Sequence, residues 1–313
     1  MEPEVFLEQR DVVPLTKAMI VVLMKINTAS DRQSIFESAG LHPGFLGNLK
    51  LDTQPNILAQ TLIAEFKRYR IDNRHLNYHP MISLLSYISD FSEIYALSDQ
   101  DVTLFKRLVE QGQENLLSAA ARSTVGRIES PPGTGIGTGV LVGKNLLLTC
   151  HHVFSKTQVQ QAWVRFGYKT GSYGLEEIYP LDLNFVSHNH RLDYALVRIQ
   201  GQLPQSIVSP SQAELNTGQE IRVIHHPSGK PVVISDIGQI TQVGEDYFDH
   251  NIKTEAGSSG APIFDRQWKL IGIHRGNPGI VRVIKGTSAS IPVRVFWFQI
   301  VSYLLEAESG ADL

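Results

Sequence analysis

Two serines sit in a crowd of small residues at Thr254-Glu255-Ala256-Gly257-Ser258-Ser259-Gly260-Ala261-Pro262-Ile263-Phe264. Glycine lets a backbone turn sharply and approach another molecule closely. A serine on such a turn exposes its hydroxyl, and nearby N–H groups are free to point at a ligand. A nucleophile beside an oxyanion hole needs both. The same composition also makes an ordinary surface loop, so the rest of the chain must decide. In Leu146-Leu147-Leu148-Thr149-Cys150-His151-His152-Val153 an apolar run ends in a histidine pair. In Arg191-Leu192-Asp193-Tyr194-Ala195-Leu196-Val197-Arg198-Ile199 an aspartate opens an alternating strand. A serine hydroxyl is a weak nucleophile until a histidine takes its proton, and that histidine needs an acid to fix its tautomer and stabilise its charged form. All three residue types are present. His151 and His152 would face opposite ways on a continued strand, so at most one reaches a common site. Composition does not choose between them, nor between Ser258 and Ser259. Asp182 and Asp236 are weaker rivals of Asp193.

The elements that must position these residues change character along the chain. Residues 1–115 read as helical, a bundle of five or six short helices. Pro14 to Thr28 is one, with proline near its start. Ser30-Asp31-Arg32-Gln33 has the form of a capping box, and Gly40 is placed to end that helix. Leu58, Leu62, Ile63, Phe66 and Tyr69 recur at helical spacing over Asn56–Tyr69. Pro80 to Phe91 is another helix, and Ser98 caps a last one that ends near Gly112. His42, His75 and His79 are isolated, and Lys67-Arg68-Tyr69-Arg70 reads as a solvated helix face. Residues 116–124, small and polar, read as a linker or fraying helix end. From Val125 the period becomes two. Strands are expected at 125–128, 137–142, 162–166, 178–186, 194–199, 221–224, 232–243, 268–274 and Ile280–Ile284. Pro292 then opens a C-terminal helix carrying Val295, Phe298, Val301, Leu304 and Leu305. Gly133, Gly135, Gly137 and Gly139 lack a following Gly-Lys-Ser/Thr, so they read as a turn rather than a phosphate loop.

The second half resembles the chymotrypsin-like (trypsin-like) serine peptidases over roughly residues 124–306. Leu148-Thr149-Cys150-His151-His152 is similar to their LTxxH motif, Asp193-Tyr194-Ala195-Leu196 to DxAL, and Gly257-Ser258-Ser259-Gly260-Ala261-Pro262 to GxSGxP. The chain order His, Asp, Ser is also theirs. The resemblance implies two antiparallel β-barrels with the site between them and a final helix packed on the second barrel. The implied domains are a helical module at 1–115, a linker at 116–124 and a peptidase at 125–313. The resemblance also implies His152 as general base, Asp193 as its orienting acid and Ser259 as nucleophile, with the N–H groups of Gly257 and Ser259 as oxyanion hole. Members that cut after Lys or Arg carry an aspartate six residues before the nucleophile; Lys253 stands there instead. Thr254 and His274 resemble the pair that holds an acidic side chain in staphylococcal glutamyl endopeptidases, with Lys253 and Arg275 adding positive charge. Cleavage after Glu, or less readily Asp, is expected. Secreted members order the site by inserting a new N-terminus. Here the oxyanion loop is expected to need a partner, a cut or assembly before it is ordered.

The helical half is similar to the death-fold-like, effector-associated modules of bacterial conflict and defence systems. The carriers are Asp31-Arg32, Ala39-Gly40-Leu41 and the helix with Phe66-Lys67-Arg68-Tyr69. That resemblance implies a homotypic helical-domain partner and a protein effector as substrate. The alternative is a catalytically silent peptidase-fold adaptor that binds peptides or partner domains.

In 313 residues, a net charge of −3 gives no electrostatic case for nucleic acid or an anionic membrane. The single cysteine, Cys150, excludes an internal disulfide and fits a reducing compartment. It reads as a small buried hydrophobe. The acidic start Met-Glu-Pro-Glu is unlike a signal peptide, and Ile20-Val21-Val22-Leu23-Met24 falls far short of the ~18 apolar residues that span a bilayer. A cytoplasmic location is expected. The histidines read as too scattered for a metal cluster, and no cofactor is expected.

Overall fold

The structure, a computed structural model, describes residues 6–71, 76–155, 159–168, 170, 177–201, 203, 207–211, 213–276 and 288–309. His75 and the strand expected at Ile280–Ile284 lie outside them. The chain divides into two units, one up to Ala119 and one from Ala120.

The first unit is built from α1 (Gln9–Lys25), α2 (Ala29–Ser38), α3 (Pro43–Leu46), α4 (Pro55–Arg68), α5 (Pro80–Asp90) and α6 (Asp99–Ser123). Leu15, Met19, Val22, Leu58, Leu62, Phe66, Leu84, Leu85 and Phe105 fill its core. α1 starts before Pro14, which lies inside it. Asp11 in its first turn is buried and paired with Arg107 of α6, which fixes the earlier start. The cap of α2 is Thr28, whose hydroxyl accepts from the Asp31 amide, two residues before the expected box. Gly40, at φ +79°, does end α2. Its N–H reaches the Glu37 carbonyl and the Leu41 N–H reaches that of Phe36, the Schellman pattern. Ser98 and Asp101 cap α6 reciprocally. Gly112 does not end α6; a Cβ there would meet Ile82 Cγ1 at 2.6 Å, so glycine serves close packing on α5. The stretch 116–123, read as a linker, is the last part of α6. Its Ser-Ala-Ala-Ala-Arg run favours helix.

The second unit carries two barrels. The first is a closed ring of β1 (Val125–Glu129), β2 (Gly135–Gly143), β3 (Leu146–Cys150), β4 (Trp163–Phe166), β5 (Glu177–Asn189) and β6 (Tyr194–Ile199), in the order β1-β2-β3-β6-β5-β4. α7 (His152–Ser155) is a single turn after β3. The second barrel uses β7 (Glu220–His225), β8 (Val233–Ile234), β9 (Gly238–Val243), β10 (Phe248–His250), β11 (Pro262–Phe264), β12 (Leu270–Gly276) and β13 (Ser288–Pro292). A pairing of β11 with β7 closes six of these into a ring, with β8 added at β7. The single expected strand 232–243 is broken into β8 and β9, and β10 and β13 were not foreseen. The glycine run holds a turn at Gly133, but from Gly135 onward it is strand.

The final helix, α8 (Trp297–Ser309), is present but packs on the first barrel, not the second. Phe296 stacks on Tyr194 of β6, the Tyr194 hydroxyl donates to Gln299, and Leu304 lies against Gly143 of β2. Its buried face is Ile300 and Leu304, continuing from Phe296 just before it; Phe298, Val301 and Leu305 face solvent. Among the described residues no single helix is long and apolar enough to cross a membrane.

Candidate active site

β3 delivers the histidine pair to one end of the first barrel, and the turn before β6 delivers the aspartate. Asp193 sits at φ +61°, a conformation Asp tolerates better than most residues. That geometry lets its carbonyl accept from the His151 amide at 3.1 Å while its carboxylate turns to His152. Asp193 Oδ1 accepts from the His152 amide at 2.9 Å and Oδ2 meets His152 Nδ1 at 2.7 Å. On the far side of the ring, His152 Nε2 lies 2.9 Å from Ser259 Oγ. One imidazole therefore bridges the acid and the hydroxyl.

The structure separates the rivals that composition left open. His151 points away, to His188 and His190. Ser258 is buried, with its Oγ 2.7 Å from His225 Nδ1. Asp182 only closes a local turn with the Asn184 amide. Cys150 is buried as expected.

Burial raises the Asp193 carboxyl. Its bonds to His152 and the charge of Arg275 pull it down more strongly, so it sits below the ordinary carboxylate value. Arg275 Nε donates to Asp193 Oδ2 at 3.2 Å. That corrects the sequence reading, which placed this charge beside the specificity pocket.

Ser259 follows a tight turn braced from several sides. Gly257 and Gly260 lie at φ +88° and +84°. A Cβ on Gly260 would fall 2.0 Å from Thr149 Oγ1, so only glycine fits. Thr138 of β2 donates its hydroxyl to the Gly257 carbonyl at 2.8 Å and accepts from the His226 amide at 3.2 Å. The Ala256 carbonyl accepts from the Ser228 amide, and the Ser228 hydroxyl donates to Glu255. Arg127, paired with the fully buried Glu129, donates to the Gly229 carbonyl next to Ser228. Among the described residues the amides of Gly257 and Ser259 have no protein partner. The Ala256 carbonyl is taken by the Ser228 amide, which leaves it out of any bond with those two amides.

The two specificity candidates both lie beside β13. Thr254 Oγ1 lies 3.3 Å from Ser288 Oγ, and His274 is opposite Ser290 in the β12–β13 register. A point one Cβ length off Gly276 is 3.8 Å from His274 Nε2 and 3.9 Å from Ser259 Oγ, so the imidazole edge and the hydroxyl border one space. Behind it His274 Nδ1 meets His250 Nε2 at 3.3 Å, and His250 Nδ1 accepts from the Ile252 amide at 3.2 Å. Burial holds both rings well below the ordinary histidine value, with the neighbouring imidazoles adding to it. Both are neutral, and the backbone amide then fixes their tautomers. His250 must carry its proton on Nε2 and give it to His274 Nδ1, which leaves His274 with an N–H on Nε2, aimed at that space. His250 gave no sequence signal of its own, being a lone histidine at a strand end.

Residues 137–273 match the trypsin-like peptidase domain, and residues 9–111 match effector-associated domain 8. The glutamyl endopeptidases of Staphylococcus aureus strains MW2 and MRSA252 are 29% and 28% identical to the chain over 168 residues. The alignments cover 48% of this chain and 49% and 45% of theirs, so the chain spans about half the length of the curated relatives it matches. Among solved structures, the serine endoprotease from Yersinia pestis is similar with a TM-score of 0.50. That match has 17% identity and covers 62% of this chain and 67% of that one, a likeness of fold.

Proposed function

From a chain that carries a trypsin-like peptidase domain behind an effector-associated domain 8, we propose a serine endopeptidase that cuts a protein after glutamate, and less readily after aspartate. The observation that carries this is the His152 ring held between Asp193 Oδ2 at 2.7 Å and Ser259 Oγ at 2.9 Å. In this reading Ser259 Oγ attacks the scissile carbonyl as its proton passes to His152 Nε2. Asp193 stabilises the resulting imidazolium and keeps the ring in register. The amides of Gly257 and Ser259 take the developing oxyanion. His152 then protonates the leaving amine, and water, activated the same way, releases the acyl group from Ser259.

The acidic preference is supported by the relatives' name and by the tautomer chain above. A neutral His274 offers an N–H, and Thr254 a hydroxyl, to a carboxylate that would otherwise be buried unpaired. Fluorogenic peptides ending in Glu, Asp or Lys test it; a preference for Lys would reject the pocket. The silent-adaptor reading is separated by fluorophosphonate labelling. Reaction at Ser259, lost in Ser259→Ala, is expected of the enzyme; no labelling would leave only the adaptor.

We assign the helical module to recruitment rather than activation, because the oxyanion turn is braced within its own unit. A homotypic partner module on another protein would bring the substrate, an effector in a bacterial defence pathway. The match to effector-associated domain 8 supports this, and the single cysteine suits a cytoplasmic setting.

A further inference from the structure

We propose that His151, His188 and His190 form a binding site for a borderline divalent transition metal, Zn2+ in the first instance, on the first barrel. The sequence reading set the histidines aside as too scattered, yet one nitrogen from each of these three lies within 4.8 Å of the others. They come from two segments. His151 directly follows β3, while His188 lies near the end of β5 and His190 is the first residue past it. The turn they stand on is built: Asn189 Oδ1 accepts from the amides of Arg191 and Leu192 at 2.9 and 3.0 Å. His151 is buried against Phe185, whereas His188 and His190 are exposed at the surface with their rings against that of His151. Among the described residues no group donates to or accepts from any of the three rings' nitrogens.

Two nitrogens on one tetrahedral Zn2+, each bonded at about 2.0–2.1 Å, stand about 3.3 Å apart. Modest rotation of the two exposed side chains closes that gap. Three imidazoles leave a fourth position for water, and they suit Zn2+, Cu2+ or Ni2+ over Mg2+ or Ca2+. The ion would tie the residue just before His152 to the turn that carries Asp193. It would do so without using a ring of the triad.

The test is calorimetric titration of zinc chloride into the full-length chain, with magnesium chloride in parallel and unfolding followed with and without Zn2+. About one Zn2+ per chain is expected, with a Tm rise that EDTA reverses and no heat from Mg2+. His188→Ala and His190→Ala should each weaken Zn2+ about tenfold or more, with Tm unchanged in its absence. His190→Asp, which keeps a ligand, should retain most of the affinity, which a purely packing role does not anticipate. No Zn2+ uptake by the unsubstituted chain would overturn the proposal. So would uptake undiminished in the double alanine variant, because the ion would then sit at the Cys150–His152–Asp193 group.

Discussion

Asp193 is pulled two ways at once. Burial disfavours its charge, while His152 and Arg275 favour it, and the second influence wins. Ionised, it can only accept, so His152 must present Nδ1–H to it and keep Nε2 free for the serine proton. Asp193→Asn keeps the shape but reverses that bond, and kcat should fall about 10⁴-fold. Ser259→Ala should cost on the order of 10⁶-fold, read by peptide hydrolysis; a loss under about a hundredfold would remove Ser259 as nucleophile. Specificity has its own residue-scale test. His250→Phe keeps volume but takes away the proton that sets the His274 tautomer. kcat/KM for Glu-terminated peptides should drop about 10–100-fold, given the ~1.5–3 kcal/mol of a hydrogen bond to a charged group. Fluorophosphonate labelling of Ser259 should not change. The contact of His152 with Asp193 and Ser259 was legible because the three residue types lie in short, ordered patterns. Arg275, 82 positions from Asp193, and Thr138, 119 from Gly257, were not, because such contacts exist only after the barrels close.

At the scale of elements, β2 and the loop before β11 work as a pair. Thr138→Val preserves shape but leaves the Gly257 carbonyl and the His226 amide without their partner. The turn should loosen and kcat fall roughly tenfold, less than the ~10²–10³ of losing an oxyanion donor outright. KM should hold and Tm drop by several degrees. Gly260→Ala, forced into left-handed backbone against Thr149, should lose activity and stability together. The second barrel also contributes to the acid limit. Burial pushes His226 and His250 down to about 4, with Arg127 and the His225 ring facing the former and His225 the latter. Unfolded, each titrates near 6.5. Between those values the unfolded chain holds the extra protons, so stability falls as pH drops through that window, by up to about 1.4 kcal/mol per pH unit for each ring. The Asp193 contribution is lost only below its ordinary 3.8. Tm should therefore decline steadily from about pH 6.5 toward pH 4, and less steeply in His250→Phe; a flat profile would count against buried neutral rings. Element types were readable from period, but faces were not. α8 has apolar residues all round, so period alone could not say that Ile300 rather than Phe298 turns inward. β10, three residues long, is too short to show a period.

At the scale of the molecule, the proposed function divides the labour between chemistry in the second unit and delivery by the helical one. If the helical unit only delivers, the rate on a free Glu-terminated peptide should be strictly proportional to enzyme concentration. Fusing that peptide by a flexible linker to a second copy of residues 1–119 should change the encounter alone, because tethering raises local substrate concentration to about the millimolar range. kcat/KM for the fusion should exceed that of the free peptide about tenfold or more at unchanged kcat. Val13 and Met24 are 59% and 60% exposed on α1, three turns apart on one face. Val13→Asp with Met24→Lys on the fused copy should remove the gain and leave the free-peptide rate as it was. No gain from fusion would dismiss like-with-like recruitment. A free-peptide rate that climbs faster than enzyme concentration would instead make assembly the switch, and the bracing of Gly257 by Thr138 would then be insufficient to hold the oxyanion donors in place.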